Sequence, residues 1–300
     1  MPMSTAEKIP RWAPPSQTQD EMEADTATTI RSIDPAVAGR PEFVRIVGMA
    51  YPLLSPRDYE PEITDVAELR AHRKTRLALG YRVFGALRWG ALGDGHISAR
   101  DPERRDHFWL ARYGVAFHTV TVDDLVLVGP NGKVVEGEGF INQAAHNIHW
   151  PIHEARRDIV AAAHTHTPYG TPFSATLERL RPITQESCAF YEDHEIFDDE
   201  EVDIASTDGG KRIAAAMGAA KGVILRNHGL LTVGQTVDEC VGFYVMMERT
   251  AEAHMKAPDG IAIGHDAATQ AYRVVGTHRA GWHYFQWLLR TYVPDPTVVD

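Results

Sequence analysis

Three histidines of this chain stand at the ends of apolar segments, and imidazole is a side chain that holds zinc, copper or iron. The stretch from Asp158 to Tyr169 reads DIVAAAHTHTPY. Ile159 to Ala163 is a short apolar run suited to a buried strand, and Thr167-Pro168 turns the chain after it. Side chains in a strand alternate faces, so His164 and His166 present two rings to one point. Lys221 to Leu225 (KGVIL) is a second apolar strand that can lie beside the first in one sheet, and it runs into Arg226-Asn227-His228-Gly229. Leu230 to Val233 resumes as strand after a turn that Gly229 permits. An isolated His-x-His pair reads equally well as two loop histidines. His228 shifts that balance, because three histidines with open positions make a catalytic metal site.

The elements that must position these rings follow from periodicity. Thr64 or Asp65 caps a helix reading VAELRAHRKTRLALGYRVFGALRWG, whose core stripe is Val66, Leu69, Leu77, Tyr81, Phe84 and Leu87 and which ends around Gly90 to Gly93. Asp94-Gly95-His96 is a tight turn and HISAR opens a strand. His107 to Leu110 and Thr119 to Val128 are further strands, and Pro130 to Lys133 turns into a last one at Val134 and Val135. Asn142 to Asp158 reads as a helix disturbed at Pro151, with His146, His149 and His153 on one face. Helices are also expected at Pro172 to Leu180, Lys211 to Ala220 and Val237 to Lys256. One more runs from Asp266 to Tyr292, unusually aromatic through Trp282, Tyr284, Phe285 and Trp287. It docks on the body, forms a subunit interface or covers the pocket. The division expected is an irregular arm over residues 1–41, a main domain over 42–257 and a helical extension over 258–300.

These residues together resemble the class II aldolase/adducin family, whose metal histidines sit as HxH and then in an N/H-H-G-L turn. Gly95-His96-Ile97-Ser98-Ala99-Arg100 resembles the family's early G-N/H-x-S turn. IHEARRDIVAAAHTH resembles its helix and strand into the first two ligands, and ILRNHGLLTVGQTVDEC its third-ligand turn and following helix. The resemblance spans roughly Asp65 to Lys256. It implies an α/β fold with a central, mostly antiparallel sheet flanked by helices. It also implies one divalent metal ion per subunit (zinc, iron or manganese) on His164, His166 and His228, and a homotetramer with active sites between subunits. His96 and Ser98 would anchor a small-molecule substrate, with Gln143, His149 and Trp150 lining the site. Tyr191 falls near the place where family aldolases use a tyrosine as proton donor from a neighbouring subunit. Glu192 beside it is a candidate catalytic carboxylate.

One position departs from the pattern. Sugar-phosphate aldolases of the family carry an acid/base glutamate four residues before the position of His149, and here that residue is Ala145. The serine pair that helps bind phosphate matches Gln143 and Ala144. Aldol cleavage of a sugar phosphate thus lacks its proton carrier and its phosphate cradle, and Trp150 adds an apolar ring. Glu186, Glu192 and Asp193 are carboxylates available as replacements. The expectation is a metal-dependent lyase that breaks a carbon–carbon bond beside a carbonyl or carboxylate of a non-phosphorylated substrate. Decarboxylation is preferred to aldol cleavage, because the departing carboxylate supplies its own electrons. The alternative is a non-haem iron oxygenase resembling a branch in aminocoumarin antibiotic biosynthesis, which oxidatively decarboxylates a prenylated 4-hydroxyphenylpyruvate. A second alternative is a non-catalytic, adducin-like scaffold, and the presence of all three histidines argues against it.

Composition sets outer bounds. A hydrophobic share of 44% with 24% charged residues is that of an ordinary globular protein. A net charge of −11 argues against nucleic acid or an anionic membrane as partner. Cys188 and Cys240 form no CxxC motif or disulfide framework, which points to a reduced, cytoplasmic setting. No apolar run approaches a membrane span.

Overall fold

Residues 59–300 are described by the computed structural model, and the expected N-terminal arm lies outside them. Their sheet contains β1 (His96–Arg100), β2 (Phe108–Ala111), β3 (Leu125–Val128), β4 (Val134–Glu136), β5 (Ala161–Thr165), β6 (His194–Phe197), β7 (Gly222–Leu225) and β8 (Gly229–Gly234). The strand order is β4-β3-β2-β1-β5-β8-β7-β6. All neighbours are antiparallel except β6 and β7. The helices are α1 (Val66–Ala86), α2 (Gln143–Ala155), α3 (Gly170–Ser174), α4 (Thr207–Met217), α5 (Val237–Lys256), α6 (His265–Val275) and α7 (His278–Tyr292). This is the mostly antiparallel α/β architecture expected.

Alternation along the strands sorts the core into two layers. Ile97, Ala99, Ala161, Ala163 and Leu230 pack towards α1, α5 and α7. Ala162, Leu231 and Val233 pack towards α2 and α4. Each fully buried isoleucine, leucine or valine among them contributes about 1.5–3 kcal/mol, and each alanine methyl less than about 1 kcal/mol. By the same alternation His96, Ser98, Arg100 and His164 face the α2 layer.

Four expectations need correction. The strand beside β5 is β8, not the Lys221–Leu225 strand. The Arg226–His228 turn folds β8 between β5 and β7, pairing His164 with Leu231. Of Thr119 to Val128 only Leu125–Val128 is strand, because the Thr121 and Asp124 side chains close a capping box around a 3-10 turn at Val122–Asp124. The helix expected at Pro172 to Leu180 stops at Ser174, and Leu177 takes a φ of +55°. The terminal helix is two. Gly276 ends α6, and the Thr277 side chain caps α7 by accepting from the Ala280 N–H at 3.1 Å. Of the three roles weighed for this segment, the structure displays docking: Gln286 of α7 donates to Asp238 of α5, which also pairs with Arg76 of α1.

Pro151 is carried inside α2 without ending it. Proline has no N–H for the Asn147 carbonyl, so that oxygen is left outside the helical ladder. Gly210 of α4 approaches it so closely that a Cβ there would lie 1.9 Å away. Only glycine permits the two helices to meet at that depth.

Candidate metal centre

His164 is the penultimate residue of β5, His166 lies just past the strand's end at Thr165, and His228 sits in the turn between β7 and β8. Each offers one ring nitrogen, and these three atoms lie within 4.8 Å of one another. Ring centroids are 4.7 Å apart for His164 and His228, and 5.0 Å for His166 and His228. The trio grades from buried His164 through half-buried His228 to exposed His166, so it opens to solvent on the His166 side. Burial, and then neighbouring His228, holds His164 well below the ordinary imidazole range. Burial followed by His166 pushes His228 down to about 4. Neutral imidazoles are what a metal needs, because only the unprotonated nitrogen has a lone pair to donate.

The surroundings fix these rings. His164 Nδ1 lies 2.8 Å from the Leu230 carbonyl, leaving Nε2 for the centre. Asp94 Oδ2 lies 3.8 Å from His166 Nδ1. Gly95, with φ of +110°, lets the Asp94 turn lie directly against β5; a Cβ there would fall 2.4 Å from the Thr165 side chain. The turn after His166 is held by Glu248 of α5. It accepts from Thr167 Oγ1 (2.6 Å), the Tyr169 N–H (2.9 Å) and the Gly170 N–H (2.7 Å). Burial raises the Glu248 pKa above the usual carboxylate range, while those three donors oppose the rise.

His96 is brought to the trio, with its ring centroid 5.2 Å from that of His164. The other residues expected at the site are not. His149 and Ser98 stand behind His96: His96 Nδ1 is 2.7 Å from His149 Nε2, and Ser98 Oγ is 2.6 Å from His149 Nδ1. Both are fully buried. Trp150, the next residue round α2, faces a different cleft with Arg100, Phe108 and Pro130. Exposed Gln143 bonds to Asn147 at 3.2 Å. Tyr191 and Glu192 precede β6, whose start is level with the start of β7. His228 follows the other end of β7, so within one chain this pair lies at the opposite end of the sheet. Tyr191 there bonds His265 at 2.9 Å. Ala145 is fully buried against Phe108, Leu110, Val126 and Val128. Of the replacement carboxylates, buried Asp193 is paired with buried Lys221 at 3.0 Å.

Asp94 and Glu248 are the residues sequence reasoning missed. Asp94 reads as a turn former and Glu248 as one acid on a long amphipathic helix. Only the sheet's closure brings them to the ligand loops.

A donor set of three imidazoles, with one face open, fits a divalent ion such as zinc or iron. The sequence profile of the Class II Aldolase and Adducin N-terminal domain matches residues 75–255. The chain is 38% identical over 235 residues to the protein named decarboxylase NovR of Streptomyces niveus, covering 76% of this chain and 86% of that one. A Streptomyces roseochromogenus subsp. oscitans protein is named 4-hydroxy-3-prenylphenylpyruvate oxygenase/4-hydroxy-3-prenylbenzoate synthase. It is 36% identical over 233 residues, covering 76% of this chain and 84% of its own. The structure of L-fuculose 1-phosphate aldolase from Glaciozyma antarctica PI12 superposes with a TM-score of 0.69 at 34% identity, covering 78% of this chain and 94% of that one. The chain belongs to the class II aldolase and adducin family.

Proposed function

We propose that this chain is a divalent-metal-dependent lyase that removes a carboxylate from a non-phosphorylated, carbonyl-bearing acid. The observation that carries the reading is the pairing of an assembled His164–His166–His228 set with a methyl group, Ala145, sealed into apolar packing where the aldolases keep their acid/base. Such a site can stabilise a carbanion, but it has no carboxylate at that position to start an aldol cleavage. Decarboxylation needs none, since the bond to the carboxylate supplies the electron pair. A metal ion on the three imidazoles would act as a Lewis acid towards the substrate's oxygens. His164 and His228, held neutral by burial, keep their lone pairs available for it. His96, beside His164, is placed to meet the substrate. Exposed His166 marks the side from which the substrate enters.

The relative named as an oxygenase supports a second reading, in which iron and oxygen remove the carboxylate oxidatively from an aromatic 2-oxo acid. Both readings take the protein as a cytoplasmic homo-oligomer. Anaerobic purification with elemental analysis, followed by carbon dioxide release from a 3-oxo acid without oxygen and from 4-hydroxyphenylpyruvate with oxygen, separates them. Release without oxygen, lost together with the metal in His228→Ala, supports the lyase. Release only with oxygen and iron replaces it with the oxygenase. No stoichiometric metal after reconstitution overturns both and favours the scaffold.

A further inference from the structure

Behind His96 runs an unbroken line of hydrogen bonds through the interior. His96 Nδ1 meets His149 Nε2 at 2.7 Å, His149 Nδ1 meets Ser98 Oγ at 2.6 Å, and Ser98 Oγ meets His153 Nε2 at 2.8 Å. All four residues are at most 4% exposed. His153 lines a cleft of about 250 Å³ with His107, Trp150 and Glu154. Its far nitrogen, Nδ1, is buried with no hydrogen-bond partner. The line therefore joins the candidate metal centre to a second cleft, on the side of the sheet end formed by Arg100 and Phe108.

The orphaned nitrogen sets the direction of the line. A buried N–H without an acceptor costs more than a lone pair without a donor, so the His153 proton resides on Nε2. It then donates to Ser98 Oγ, Ser98 donates to His149 Nδ1, and His149 Nε2–H donates to His96 Nδ1. His96 is left with its proton on Nε2, the nitrogen not engaged by His149. Burial is the main reason that all three rings are held well below the ordinary imidazole range.

We propose that this line is a proton relay that supplies the proton replacing the departing carboxylate, with His96 as the catalytic donor and His149, Ser98 and His153 acting through it. The inference rests on the decarboxylation reading. As the carbon–carbon bond breaks, carbon dioxide leaves and its electron pair stays on carbon. That carbon takes the Nε2 proton of His96. His96 Nδ1 takes the His149 proton, His149 Nδ1 takes that of Ser98, and Ser98 Oγ takes that of His153. Solvent in the cleft, reaching the buried His153 Nδ1 through a local opening, supplies one proton to the line as each carboxylate leaves. Every ring takes one proton as it gives another and none becomes charged. Once product leaves, solvent in the emptied site returns a proton to His96 Nε2, and the reverse transfer hands the His153 Nδ1 proton back to the cleft; the line lends its proton as the bond breaks and site solvent replaces it afterwards.

Two measurements test this. In metal-free wild-type protein labelled with 15N-histidine, long-range 15N–1H correlations are expected to place the protons of His96 and His149 on Nε2. A proton on Nδ1 of either ring overturns the relay whether or not the protein decarboxylates anything. In metal-loaded protein, His153→Ala is expected to lower kcat about 100-fold, the scale of a lost general acid, with KM and metal content unchanged. Added imidazoles should restore the rate, increasingly so with acid strength at constant size. Ser98→Ala, which breaks the line out of solvent's reach, should lose rate without rescue. Unchanged kcat in His153→Ala, or rescue indifferent to acid strength, overturns the proposal. A wild type that releases no carbon dioxide overturns the function reading instead.

Discussion

Restoring the aldolase glutamate as Ala145→Glu should damage the protein rather than convert it. Ala145 has no exposed surface and touches Phe108, Leu110, Val126 and Val128, all buried. A glutamate inserted there adds volume to a closed pocket, which costs about 1–3 kcal/mol. Its carboxyl finds no cation in that cluster and stays protonated; holding it so at about pH 7, against an ordinary value of about 4.3, costs about 4 kcal/mol. The sum consumes much of a stability of about 5–15 kcal/mol. The sign with pH follows. The folded-state pKa is raised, so the unfolded chain ionises first, and the penalty is absent below about pH 4 and grows as pH rises towards the folded value. Urea unfolding followed by tryptophan fluorescence is expected to give a lowered midpoint for Ala145→Glu, with the gap to the parent closing as the pH falls. Ala145→Gln should keep the volume cost and lose the pH dependence. A glutamate variant within about 1 kcal/mol of the parent at every pH, binding metal more tightly, would refute the placement of Ala145 in the core. The position would then open onto the histidine trio.

Two further outcomes follow from buried titratable groups elsewhere. His194 sits between the Leu180 N–H at 2.9 Å and the Phe190 carbonyl at 2.7 Å, and burial pushes its pKa down to about 4. The unfolded chain therefore takes up a proton first, and stability should fall by up to about 3 kcal/mol as pH drops from about 6.5 to about 4; urea midpoints for His194→Gln should decline less over that window. Lys221 is fully buried, 3.0 Å from Asp193 and 2.7 Å from the Gly276 carbonyl, with its ammonium 4.4 Å from the Phe243 ring centroid. Asp193→Asn should cost about 3–5 kcal/mol by stranding that ammonium, while Lys221→Met with Asp193→Asn recovers most of the loss, both read by thermal unfolding.

What the sequence disclosed was governed by local rules. His164 and His166 share a face because strands have a period of two, and the turns at Gly95 and Gly229 announce themselves by residue type. The α/β class and the sheet's mostly antiparallel character followed from the same signals and from family resemblance. What it concealed depended on partners far along the chain. The insertion of β8 between β5 and β7 is decided by a hairpin whose strands read alike. His149 and Trp150 were adjacent letters, but successive residues point about 100° apart round a helix, so one faces the sheet and the other a separate cleft. Ser98 looked like a substrate contact because its turn matched; only the packing of α2 reveals that two buried imidazoles occupy its hydroxyl. The break at Gly276 hid inside a helical pattern because glycine there serves a buried lysine from another element.

The bond from His164 Nδ1 to the Leu230 carbonyl ties a ligand's orientation to how β5 and β8 are threaded past each other. A slip of one residue between those strands would turn His164 to the opposite layer and take away that carbonyl. A metal on the proposed site would therefore bind tightly only to the correctly aligned pair, whose contacting residues are 66 positions apart in the chain. Such long-range pairings form slowly and are prone to misalignment. An ion present at about 100 times its dissociation constant would favour the aligned state by about 2.7 kcal/mol. An ion held by the three histidines would thus double as a proofreader of strand alignment during folding, and a cell short of it would accumulate mis-threaded chains.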